Sequence, residues 1–178
     1  THASIQAART LAPRLAGKKI TGVHAKIHPN AMVTAGKLNP RTPLECKFSV
    51  PFCISLGLRG YRLVAPDFTE ATLRNAAVTE LLPLIKLEVV QDQPQYEAHL
   101  EVRVAGGESL RADTDIVLGH AQNPMSEADF REKFQGLVEP VLGLQQSGRL
   151  YEALNRFEQA GSIQKIMELL DGNARRGN

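Results

Sequence analysis

The chain has 178 residues, enough for one well-packed core and too few for two large domains. Hydrophobic residues make up 43% and charged residues 22%, the balance of an ordinary globular fold. A formal charge of +2, with no dense basic block apart from Arg175–Arg176, argues against a nucleic-acid or membrane partner.

The predicted elements begin with a short helix over Ser4–Leu15, apolar at Ile5, Leu11 and Leu15 and stopped at Gly17. Lys18–Ile27 then alternates as a strand, with Thr21, Val23, Ala25 and Ile27 on one side and Gly22, His24 and Lys26 on the other. Pro29 and Asn30 end it. The segment up to Pro43 reads as an ordered loop with one helical turn near Ala31–Ala35.

The stretch Pro43–Gly57 supplies a second helix, and a third is expected from Thr69, as its N-cap, to about Leu82. Three strands follow. Ile85, Leu87 and Val89 alternate with Lys86 and Glu88; Tyr96 to Val104 alternates over a longer run; Leu110 to Ile116 continues beyond a Gly106–Gly107 hairpin turn. One polar face kept over this length predicts an antiparallel sheet open to water or to another domain.

Ser126 and Asp129 have the spacing of a capped helix start, ahead of Phe130, Phe134, Leu137, Val138 and Val141. Helical stretches near Leu150–Phe157 and Ile163–Leu170 close the chain, and residues from Asn173 onward are expected to be disordered. The fold class is α+β: an antiparallel sheet of about four strands, helices packed on one face and a helical C-terminus. The organisation expected is an α+β unit over residues 1–143 and a closing helical segment with its tail over 144–178.

The longest uncharged apolar run, Phe48–Leu58, is too short to cross a bilayer, and no stretch has the order of a signal peptide. Cys46 and Cys53 stand two turns apart if they share one helix, at about 1.5 Å of rise per residue, too far to bridge within it. Reduced thiols and a cytoplasmic setting follow as the expectation. The first residue is Thr1, which suggests processing or a piece of something longer.

Candidate chemistry starts at "ECKFSVPF". Pro51 is tolerated in the first turn of a helix because its missing N–H has no partner to lose there. Ser49 then becomes the N-cap, and Lys47 adds a full positive charge beside free N–H groups that attract anions. A carboxylate is the natural small ligand for that end. The plainer reading, an ordinary cap beside a solvated lysine, uses the same residues.

His24 and His28 share strand parity, but no third residue at metal-ligand spacing accompanies them, so no metal is expected. His99 falls on the polar side of its strand and His120 in a turn before "NPMS". Two cysteines cannot supply an iron–sulfur cluster, and phosphate-loop, dinucleotide and nucleophile-elbow motifs are lacking, so no cofactor is expected.

"THASIQAA", "NPRTPLECKFSVPFCISLGL" and "GHAQNPMSEADFREKF", in that order, resemble the MmgE/PrpD family over about Thr1–Gly143. That family includes 2-methylcitrate dehydratase, cis-aconitate decarboxylase and iminodisuccinate epimerase. The resemblance implies a C-terminal lid domain whose larger helical partner domain lies outside this chain, with the active site in the cleft between them. It implies a metal-free and cofactor-independent lyase or isomerase acting on small di- or tricarboxylic acids, usually as a homodimer. By the same resemblance His2 and Lys47 are the catalytic candidates, and Ser49 and Phe52 border the substrate. Two positions depart from the family pattern: Phe52 stands where a tyrosine is common, and Gln6 where an aspartate is usual. The alternative is a non-catalytic carboxylate-binding or dimerisation domain.

Overall fold

The computed structural model describes residues 1–170, in two compact units that meet at Pro124–Met125. The expected disorder from Asn173 and the Arg175–Arg176 pair lie outside the described residues.

The first unit opens with α1 (His2–Leu11), extended by a 3-10 turn to Leu15. Its buried residues Ala3, Ser4, Ala7, Ala8 and Leu11 fall at three- and four-residue spacing, and all but Leu11 are small. β1 (Ile20–Ile27) follows, then α2 (Pro29–Ala35), α3 (Pro43–Lys47) and α4 (Val50–Leu58). α2 is the helical turn expected near Ala31–Ala35, and it starts two residues earlier because His28 serves as its N-cap.

α4 is the axis of the unit. All nine of its residues are buried, as expected of a helix that is apolar on every side. Val50, Ile54 and Leu58 face the sheet and join the main core with Ala7, Ala8, Leu11, Val23, Ala25, Leu100 and Val102. Phe52 and Leu56 face the other way and form a second cluster with Cys46 and Val78.

The single helix expected over Thr69–Leu82 is broken. Thr69 does cap α5 (Glu70–Leu73), its Oγ1 accepting the Thr72 N–H at 3.1 Å. Asn75 then caps a new short helix, α6 (Ala76–Thr79), its side-chain oxygen accepting the Ala77 N–H at 3.0 Å. Leu82–Leu84 is a 3-10 turn around Pro83.

β2 (Ile85–Val89), β3 (Ala98–Val104) and β4 (Ser109–Thr114) complete a sheet of order β2-β1-β3-β4. The antiparallel expectation holds for β1–β3 and β3–β4, but β1 and β2 run parallel, with Val23 opposite Ile85 and Ile27 opposite Val89. The sheet is therefore mixed. A parallel pair needs a long crossover, and everything from His28 to Leu84 supplies it.

One parity also changes. The register slips between Ile20 and Gly22, so Thr21 is exposed and Ile20 takes the core position. Gly106 and Gly107, at φ +95° and +87°, make the β3–β4 turn in a region that L side chains rarely adopt.

The second unit runs from Met125. α7 (Glu127–Leu142) begins with a reciprocal cap in which Ser126 Oγ accepts the Asp129 N–H and Asp129 accepts the Ser126 N–H. α8 (Leu144–Asn155) buries Leu150 and Tyr151, and α9 (Ile163–Glu168) buries Ile166. The Tyr151 ring lies 5.2 Å from that of Phe134, with the Arg131 guanidinium 4.3 Å over it. No described helix is long and apolar enough to cross a membrane.

Candidate functional site

α1 and α4 lie side by side and run in the same direction: Thr1 lies near Cys53, and Ala8 lies against Gly57. The start of α1, with His2, and the start of α4, with Lys47 and Ser49, therefore share one end of the unit. The helix pair brings together, at the level of the backbone, motifs that are separated along the chain.

The side chains are arranged less simply. Ser49 is fully buried, and its Oγ accepts the Phe52 N–H at 3.2 Å. It is an N-cap, as its sequence position indicates, but its hydroxyl is already engaged. Phe52 is also fully buried, in the second cluster. Expected at a substrate wall, both sit inside the protein, where they set the turn that carries Lys47. A tyrosine at position 52 would have to place its hydroxyl in that apolar cluster.

That turn is held from several sides. Gly36 bridges Ser49, and the Lys37 N–H donates to the Phe48 carbonyl at 3.2 Å. Lys37 Nζ lies 2.8 Å from Glu45, which also accepts the Arg41 N–H at 2.6 Å. The bond from Lys37 and then that from Arg41 hold the Glu45 carboxyl below the usual carboxylate range. Lys47 is exposed, with its ammonium 5.8 Å from the centre of the Phe68 ring.

His2 lines a cavity of about 260 Å³ with Ser4, His28, Asn30, Thr34 and Tyr96. Lys47, Ser49 and Phe52 are not among its lining residues. α2 connects the two places, since its N-cap His28 enters the cavity and its C-cap Gly36 pairs with Ser49. Gln6, which stands where the family usually has an aspartate, points elsewhere: its side-chain oxygen accepts the Leu118 N–H at 2.8 Å.

The sequence suggested no ligand-binding role for Tyr96 and weighed His28 only as a metal ligand beside His24. His28 had a usable signal, because a proline directly after it marks the residue as an N-cap. Tyr96 was expected in a strand and instead lies in the turn before β3, with its ring 5.1 Å from that of His120. His24 and His28 do not face the same way: His24 Nε2 pairs with Glu88 at 2.9 Å on the polar face of the sheet.

That polar face carries a larger cavity, of about 700 Å³. Its charges largely satisfy one another: His99 Nδ1 meets Asp113 at 2.9 Å, Arg111 meets Glu101 at 2.9 Å, and Lys26 lies 3.8 Å from Glu88. Among the described residues, no group of three or more His, Cys, Asp or Glu is placed to hold a metal ion.

Comparison with known proteins agrees with the motifs. The MmgE/PrpD C-terminal domain matches residues 1–159. Cis-aconitate decarboxylase from Mus musculus and from Homo sapiens are each 23% identical over 137 residues. Those alignments cover 75% of this chain and 28% of each relative, so the chain spans under a third of their length. The chain belongs to the MmgE/PrpD family, and its matched region is that family's C-terminal domain.

Proposed function

We propose that the chain is the C-terminal part of a cofactor-independent lyase or isomerase acting on small di- or tricarboxylic acids. The observation that carries this reading is the family match together with a cavity that gathers His2 with other polar side chains. In a dehydration, a base takes the proton next to a carboxylate and the electron pair forms the carbon–carbon double bond. The hydroxyl on the neighbouring carbon then leaves with a proton as water. His2 is proposed as the group that moves a proton, and Lys47 as the cation that steadies the enolate-like charge. Ser49 and Phe52 act by positioning Lys47.

The remaining groups are assigned to parts of the protein outside the chain, and the working form is proposed to be a cytoplasmic homodimer. The purified chain should turn over neither 2-methylcitrate nor cis-aconitate. The protein expressed with its natural coding sequence upstream of Thr1 should turn over one such acid and lose that activity in His2→Ala. Turnover by the isolated chain, or an extended protein indifferent to His2→Ala, would overturn the reading.

A second reading, an interaction or dimerisation module, is favoured by one observation. Residues 125–170 leave Phe130, Leu137, Val141, Leu144, Phe157 and Ile163 exposed. Calorimetric titration with citrate separates the two. Heat that disappears in Lys47→Ala supports the first reading, and no heat with either protein leaves the second.

A further inference from the structure

The cavity beside His2 contains a histidine whose proton position is fixed by its surroundings. His28 Nδ1 accepts the Asn30 backbone N–H at 3.0 Å. A ring nitrogen that accepts an N–H carries no proton, so the proton of the neutral imidazole sits on Nε2. Among the described residues Nε2 has no hydrogen-bond partner, and neither does the Tyr96 hydroxyl, which belongs to a lining residue of the same cavity. Glu97, the carboxylate on this lining, also lies 3.8 Å from His99 Nε2. The cavity thus offers two neutral donors, with the Glu97 carboxylate also on its lining.

We propose that His28 Nε2–H and the Tyr96 hydroxyl hold a carboxylate of the substrate in the cavity beside His2. This rests on the reading of the chain as part of a carboxylic-acid lyase or isomerase, and it adds the residues that orient the acid. It also identifies a phenol in the cavity, although position 52 carries none. The two donors bind and orient; the proton transfer stays with His2.

The competing account is that His28 only caps α2. His28→Asn separates the two, because asparagine is among the strongest N-caps and keeps an acceptor near the Nδ1 position while removing the Nε2 donor. In the ¹⁵N-labelled chain, long-range ¹H–¹⁵N spectra should show His28 protonated on Nε2. Titration with cis-aconitate should shift that signal saturably. His28→Asn should weaken cis-aconitate binding about tenfold and Tyr96→Phe severalfold, the scale of one hydrogen bond to a charged group. The urea midpoint of His28→Asn should stay at the wild-type value.

If both variants bind cis-aconitate as tightly as the wild type, or if Nδ1 carries the proton, the assignment of donors fails while the carboxylate site stands. If the unmodified chain shows no saturable shift with cis-aconitate or citrate, the carboxylate reading of this cavity fails and the inference falls with it.

Discussion

Gly57 in α4 lies so close to Ala8 in α1 that a Cβ added to the glycine would stand 2.7 Å from the Ala8 Cβ. The next neighbours, the Ile5 carbonyl oxygen and the Arg9 nitrogen at 3.4 and 3.6 Å, belong to helix backbone that cannot swing aside. Gly57→Ala should therefore destabilise the chain by about 1–3 kcal/mol through overpacking, outweighing a helix-propensity gain of up to about 1 kcal/mol. Urea unfolding measures it. Adding Ala8→Gly should recover part of the loss, and a double-mutant cycle with no coupling would show that the close contact is not its cause.

Ser55 is fully buried, and its Oγ donates a 2.7 Å hydrogen bond to the Val78 carbonyl. This bond fastens α4 to the short helix α6 at a point closed to water. Ser55→Ala removes the donor and weakens the satisfaction of a buried acceptor, at a cost of about 1–2 kcal/mol. The loss should appear in the unfolding midpoint. A variant as stable as the wild type would mean that the Leu81 N–H, 3.3 Å from the same carbonyl, satisfies it adequately.

Burial pushes the Cys53 thiol up to about 12 and the Cys46 thiol up to about 11. Both should remain protonated at pH 8 and resist iodoacetamide in the folded chain, because the thiolate is the reactive form. Labelling followed by mass spectrometry should detect modification only as the chain opens, at a rate that rises with urea. Rapid native labelling of either cysteine would contradict the closed second cluster.

Asp129 is held below its ordinary value of 3.8, first by the Ser126 side chain and then by the Ser126 N–H. A carboxyl depressed on folding contributes stability that is complete above its unfolded value and is lost as pH falls through the folded one. The start of α7 should therefore keep its cap down to about pH 4 and lose it below that. Carboxyl ¹³C titration should place the Asp129 midpoint below 3.8 in the wild type and return it toward that value in Ser126→Ala.

Elements whose signal was local were legible in the sequence. The Ser126–Asp129 cap, the glycine-pair hairpin and the Ser49 N-cap depend on near neighbours, and all three form. The parallel pairing of β1 with β2 was not legible, because period-two alternation is the same whichever way a neighbour runs. The slip at Thr21 was hidden for a similar reason: its partners on β3 lie some eighty residues away in the chain.

At the candidate site, the family motif pointed to His2, and the cap spacing pointed to Ser49 as an N-cap. The burial of Phe52 was readable from "VPFCISLGL", which carries no charge on any side, but that of Ser49, which stands just before it, was not. Tyr96 could not be placed from pattern alone, since the alternation that runs through β3 continues past the point where pairing stops.

The strand order has a bearing on how the chain assembles. β3 and β4 can pair early through their tight turn, whereas β1 meets β3 and β2 alike only by closing a loop over the whole intervening helical stretch. Among the described residues β2 forms an outer rim, with one row of backbone donors and acceptors left unmatched. Lys86 and Glu88, both exposed, alternate along that rim, so a stray strand approaching it meets charges of both signs instead of a smooth apolar ledge. The parallel strand at the sheet's margin is thus also protected against pairing with the wrong neighbour.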